Sequence, residues 1–283
     1  MNRLLVTFAT VLTIGSAWLA GRAVHDMPGR VDVNGRFLRM RVEGQGSPAV
    51  VFEIGLGGPL EEWDLVQPEL ARHTKVVTYD RIGARDVKQS LTGVDIAHEL
   101  RLALRNAGVE PPYVLVGQSF GGVYNRVFAG LYPDDVAGMV LLDPTQEEFV
   151  DWMKIHYPKR GLSKHIVRNL AEGEGVRETL NQLKTTAPPP DVPVIVVTGT
   201  KFINDKMRIE ALPVWIEAHR KWVSALPQGR HVQASKSGHG VQIDVPDLVV
   251  ELIHEVVESA RLDRDSAEAT DQLDESRAAE GKP

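Results

Sequence analysis

From residue 31 onward, short apolar runs alternate with stretches in which apolar residues recur every three or four positions. Val31-Asp32-Val33 and Phe37-Leu38-Arg39-Met40-Arg41-Val42 flank Asn34-Gly35, a pair suited to a tight hairpin turn. Ala49-Val50-Val51-Phe52-Glu53-Ile54 is nearly continuous in apolar character, as a strand buried on both faces requires. The same reading predicts further strands at 76–79, 113–116, 136–142, 192–198 and 231–234. Helices are predicted near 60–71, 94–107, 123–131, 212–225 and 245–260. Strands alternating with helices imply a mostly parallel sheet with helices on both faces, an α/β fold.

Three stretches break this rhythm. Residues 144–190 separate two strands where a short connection is usual, carry helical signal and close on Pro188-Pro189-Pro190. They are expected to form an inserted helical cap. Within them Phe149, Trp152, Met153, His156 and Tyr157 share one helix face. That face either packs the cap onto the body or roofs an apolar substrate pocket. Residues 261–283 are charged and nearly without apolar side chains, as expected of a disordered tail or a frayed extension of the last helix. At the start, Met1-Asn2-Arg3 precedes an uncharged, mostly apolar stretch over residues 4–20. Residues 1–23 therefore read as a signal peptide or membrane anchor, giving an exported (periplasmic or extracellular) or membrane-anchored protein. The core then comprises residues 24–143 and 191–260.

Composition narrows the chemistry. With 283 residues, 43% of them hydrophobic, the chain can bury one large core plus an insertion. A net charge of −6 without a compact basic cluster argues against a nucleic-acid partner. There is no cysteine, which removes disulfides, thiolate metal sites and a cysteine nucleophile.

A serine takes the nucleophile's place. Gly117-Gln118-Ser119-Phe120-Gly121-Gly122 lies directly between a predicted strand and a predicted helix. Small residues two positions either side of Ser119 allow the sharp turn that lifts a hydroxyl above the sheet edge, a G-x-S-x-G elbow. A serine hydroxyl needs a positioned base. Of nine histidines, His239 stands apart, in Ser237-Gly238-His239-Gly240 between the last strand and the last helix. Loops at the strands' carboxyl ends share one edge, so this loop and the elbow can meet. Gly55-Leu56-Gly57-Gly58 follows a strand at the same edge, and the Leu56 and Phe120 amides are candidate oxyanion donors. For the acid that orients the histidine, Asp143 at the end of one strand and Asp205 in the loop after the next both qualify.

In this order, the hairpin entry, the Gly-rich loop, Tyr79-Asp80-Arg81-Ile82-Gly83, the elbow, Leu141-Leu142-Asp143-Pro144 and Ser237-Gly238-His239 resemble the α/β-hydrolase superfamily over residues 31–260. The chain departs from the family where Glu53-Ile54-Gly55 replaces a common His-Gly, where Arg85 replaces a second glycine, and where Phe202 occupies a usual acid position. That last departure favours Asp143 as the acid. The resemblance implies a serine hydrolase: Ser119, His239 and Asp143 cleave a carboxylic ester through an acyl-enzyme, with Leu56 and Phe120 holding the oxyanion. It implies a small-molecule acyl substrate and no metal or organic cofactor; the anchor reading of residues 4–20, made from their apolar character, adds a membrane as a partner. A serine at the elbow disfavours haloalkane dehalogenase and epoxide hydrolase chemistry. Alternatives are a proline-type peptidase or amidase, with Glu147, Glu148 and Asp151 meeting a substrate amine; cofactor-free oxygenation, lyase or perhydrolysis chemistry; and a non-catalytic ligand-binding member of the same fold.

Overall fold

The computed structural model describes residues 29–81, 91–158, 173–201 and 205–280. The expected signal or anchor segment, Arg85 and Phe202 lie outside them. Among the described residues no helix is long and apolar enough to cross a membrane.

Among the described residues eight strands form one sheet: β1 Gly29–Val33, β2 Arg36–Glu43, β3 Ala49–Glu53, β4 Val76–Tyr79, β5 Tyr113–Gln118, β6 Val136–Leu142, β7 Val194–Gly199 and β8 Gly229–Ala234. Their spatial order is β1-β2-β4-β3-β5-β6-β7-β8. β1 pairs antiparallel with β2, and β2 antiparallel with β4; the other pairings are parallel. The central runs Val50-Val51-Phe52 and Val114-Leu115-Val116 are fully buried, as the absence of any polar alternation requires.

Among the described residues the helices are α1 Gln67–Leu70, α2 Gly93–Asn106, α3 Gly121–Leu131, α4 Glu147–His156, α5 Gly173–Leu183, α6 Lys206–Ser224, α7 Val241–Asp244 and α8 Pro246–Glu280. On one face of the sheet, Leu100, Leu104, Val123 and Phe128 of α2 and α3 build a core against Leu115 and Met139. On the other, Trp63, Leu70, Leu252, Ile253 and Val256 pack on Val50, Val114 and Val140. Thr92 caps α2 in a reciprocal box with Asp95.

Four expectations need correction. The helix expected over 60–71 is a 3-10 turn, Leu60–Trp63, followed by the separate short α1. Pro68 sits within the first turn of α1, where its missing N–H costs nothing; inside a longer helix it would break a backbone bond. Helix α6 starts at Lys206, well before the expected 212, and runs through Pro213. The charged tail continues the last helix rather than leaving it as a disordered segment: α8 runs to Glu280, with no glycine or proline between Pro246 and Gly281 to stop it. Finally, α5, expected as cap, places Val176 and Leu183 in the core beside α2 and α3. Their spacing gives α5 an apolar stripe, and Gly93 donates to Thr179 Oγ1 at 2.8 Å to join it to α2.

Candidate active site

The site begins at the turn after β5. Ser119 has φ +54°, in the left-handed region that a side chain normally avoids. Three backbone bonds hold it there. Ser119 N–H donates to Leu142 O (3.0 Å), while Gly122 and Thr145 N–H both donate to Ser119 O (3.1 and 3.0 Å). Glycine is required on each side by close approach. A β-carbon at Gly117 would lie 2.8 Å from Gly122 Cα, and one at Gly121 would lie 2.2 Å from the Glu53 carbonyl oxygen.

Opposite Ser119 stands His239, between β8 and α7. Its Nε2 is 2.9 Å from Ser119 Oγ and its Nδ1 is 2.6 Å from Asp143 Oδ2. A carboxylate can only accept, so Nδ1 carries the hydrogen and Nε2 presents a lone pair to the serine hydroxyl. The loop is pinned on two sides. Gly238 N–H donates to Asp244 Oδ2 (2.8 Å), and Gln118 Nε2 donates to the His239 carbonyl (3.0 Å).

Asp143, 4% exposed, ends β6 with φ +45° and donates its own N–H to Val197 O at 2.7 Å. Its second oxygen, Oδ1, accepts from Gly199 N–H (3.0 Å) and from Trp215 Nε1 (2.7 Å). Three donors thus fix both oxygens of the carboxyl in place. Asp205 stands exposed just ahead of α6, and the His239 ring meets Asp143 instead.

Behind Asp143 lies a buried polar chain that sequence reasoning overlooked. His219 is fully buried; its Nε2–H donates to the Pro144 carbonyl at 2.6 Å. Nδ1 must then accept from the Thr198 hydroxyl (2.6 Å), whose oxygen accepts from His231 Nε2 at 2.7 Å. Burial drives the His219 pKa down to about 4, against the opposing pull of the Pro144 carbonyl, so the ring is neutral near pH 7. Burial likewise lowers His231. The chain braces the Asp143-Pro144 turn from below.

The Gly-rich loop after β3 is held by a second buried cluster. Arg81 Nη1 and the Tyr79 hydroxyl both donate to the Glu53 carboxylate. Arg81 also donates to the Ile54 carbonyl and, at 2.7 Å, to Gly55 O. The Tyr124 ring centroid lies 5.1 Å from the guanidinium carbon. Burial, then the Glu53 charge, raises Tyr79 well above its ordinary pKa, so it remains a donor. Glu53, the first residue of the Glu53-Ile54-Gly55 stretch, is thus the partner that anchors the arginine. A β-carbon at Gly55 would sit 3.1 Å from Ser119 Cβ, which sets the loop carrying Leu56 against the serine. The Phe120 amide opens α3, where the first N–H groups have no intrahelical acceptor.

Beside the imidazole opens a cavity of about 720 Å³. Phe149, Met153, Met207, Leu212, Trp215 and Ile216 line it, with His239 and Asp143 on one wall. Two of the aromatic-face residues of α4 therefore roof a pocket. The others serve packing: Trp152 stacks on Phe149 and on His156, while Tyr157 donates to Glu210 of α6. Phe149 meets Trp215 edge-on at 4.4 Å between centroids. Among the described residues no group of three or more His, Asp and Glu side chains could hold a metal ion.

Comparison with known proteins agrees with this architecture. A family model described as the alpha/beta hydrolase fold matches residues 48–160, the stretch from β3 through the elbow to α4. The chain has the α/β-hydrolase fold. The chain is 28% identical over 220 residues to the uncharacterized protein YqjL of Bacillus subtilis, covering 76% of this chain and 85% of that protein. Two other curated relatives are matched over shorter stretches, 22% and 36% of their length. Among solved structures, an esterase from Thermogutta terrifontis superposes with a TM-score of 0.60 at 17% identity, covering 82% of this chain and 98% of that one. The enol-lactonase from Burkholderia xenovorans LB400 gives 0.56 at 16% identity, covering 81% and 100%.

Trp215, Gln118, Gly199 and Asp244 went unnoticed in the sequence. Gln118 is a variable letter of the elbow motif, and nothing in the spacing of Trp215 links it to a residue 72 positions away.

Proposed function

We propose that this protein is a serine hydrolase that cleaves a carboxylic ester of a small molecule through an acyl-enzyme. The observation that carries the reading is the unbroken hydrogen-bonded chain from Ser119 Oγ through His239 to Asp143, at 2.9 and 2.6 Å. Ser119 Oγ attacks the ester carbonyl as its proton passes to His239 Nε2. Asp143 stabilises the imidazolium and holds the ring in the productive tautomer. The oxyanion is received by the Leu56 and Phe120 amides, and removing one such donor typically costs about 10²–10³ in rate. The C–O bond then breaks, and the alcohol oxygen keeps its electrons and takes the Nε2 proton. Water enters, gives a proton to Nε2, attacks the acyl carbon and releases the acid, while the proton returns to Ser119.

Esterase and enol-lactonase neighbours of the same fold support ester chemistry. The peptidase alternative needs free carboxylates for an amine, and the three candidates are engaged: Glu147 with Arg126, Glu148 with Lys221 and Asp151 with Lys154. The test uses short-chain nitrophenyl esters and a fluorophosphonate probe. Wild-type protein is expected to hydrolyse the esters and become labelled, and Ser119→Ala to lose both. Activity that survives Ser119→Ala at near wild-type rate overturns the nucleophile.

A further inference from the structure

We infer that the apolar cavity receives the alcohol half of the ester, so that the protein selects esters of bulky, uncharged apolar alcohols. This rests on the serine-hydrolase reading above. Its ground is the cavity's position. The described lining takes in His239 and Asp143 but not Ser119, Leu56 or Phe120. The cavity therefore opens on the imidazole side of the serine rather than the Gly-loop side.

That side is chemically defined. At the tetrahedral carbon, one substituent is the Ser119 oxygen and one is the oxyanion, which faces the Leu56 and Phe120 amides. A third, the leaving oxygen, must come within hydrogen-bond reach of His239 Nε2 to be protonated as its C–O bond breaks. Whatever group that oxygen carries is thereby directed along the His239 flank, where the cavity begins. The acyl substituent takes the remaining direction, away from it.

The lining selects for the kind of group. Phe149, Met153, Met207, Leu212 and Ile216 offer no charge, and the two methionines adapt to varied shapes. Lys201 and Glu217 also border the cavity, but both are exposed, and Glu217 is paired with Arg220. A volume of about 720 Å³ lies within the range of whole small-molecule sites, far more than ethanol or methanol needs. Trp215 joins the two functions: its ring forms the wall while its N–H holds Asp143.

The experiment compares two ester series with the full chain: acetates of ethanol, butanol, hexanol and octanol, and methyl esters of the matching acids. kcat/KM is expected to climb about fourfold for each methylene buried along the alcohol series until the cavity is full. Along the acyl series it should change by less than about threefold. A climb along the acyl series with a flat alcohol series, or equal slopes in both, overturns the assignment and leaves the Ser119 chemistry standing. No hydrolysis of any ester, together with no fluorophosphonate labelling, instead overturns the serine-hydrolase reading and this inference with it. Ile216→Trp, which narrows the cavity, is expected to lower the octyl-to-ethyl acetate ratio of kcat/KM at least about tenfold. An unchanged ratio in folded variant protein counts against the assignment, and the wild-type series decides alone if the variant does not fold.

Discussion

Two residues of the proposed machinery, Ser119 and Asp143, hold backbone angles in the left-handed region, at φ +54° and +45°. Each such conformation costs on the order of 1–3 kcal/mol and persists because its surroundings leave no alternative. For Asp143 those surroundings are the bonds from its N–H to Val197 and to its Oδ1 from Gly199 and Trp215. The carboxylate therefore cannot turn away from His239. Asp143→Asn keeps the shape but can present an amide hydrogen to Nδ1, forcing the wrong tautomer. Its kcat on nitrophenyl acetate is expected to fall about 10⁴-fold, while Asp205→Asn stays within about threefold. The opposite ranking in steady-state assays would transfer the acid's role to Asp205.

At the scale of elements, the elbow depends on how closely α3 approaches β5 and the end of β3. That approach leaves no volume at Gly121, where an added methyl would meet the backbone oxygen of Glu53 at 2.2 Å. A backbone atom cannot swing aside as a flexible side chain can, so the helix must shift. Gly121→Ala is expected to destabilise the fold by about 1–3 kcal/mol, read as a lower midpoint in urea unfolding, and to cut activity more than stability. A variant with wild-type midpoint and rate would show that strand and helix can part without penalty. The Glu53–Arg81–Tyr79 cluster acts on the same junction from the other side, fastening the carbonyls of Ile54 and Gly55 to the strand next door.

For the molecule as a whole, the buried His219 links stability to pH. Its folded pKa of about 4 lies below the ordinary value of 6.5, so between these two pH values the unfolded chain binds a proton that the folded chain refuses. Stability is therefore full above about pH 6.5, declines as pH falls toward 4 and levels off below that. The contribution at stake is on the order of 3 kcal/mol. His231 and His254, also lowered by burial, act with the same sign. Urea unfolding at pH 7 and pH 5 is expected to show the loss, and His219→Gln to flatten it. An equal slope in the variant would assign the pH dependence to other groups.

The order of strands and helices was legible in the sequence because continuous apolar runs such as Ala49–Glu53 fit a buried parallel strand and little else. The elbow was legible too, since Gly117, Ser119 and Gly121 are neighbours in the chain and the reasons for them are steric and local. Local patterning also fixed which loops reach the carboxyl edge, and so placed His239 and two candidate acids near Ser119. It could not choose between Asp143 and Asp205, because both choices put a carboxylate at that edge. Which carboxylate meets the His239 ring is a matter of tertiary structure: Asp143 does, at 2.6 Å across 96 residues, and Trp215 approaches it from a helix elsewhere in the chain. The same holds for the roof of the cavity and for α5. Which apolar stripe faces a pocket and which joins the core depends on what packs opposite, and a side chain carries no local mark of its distant partner.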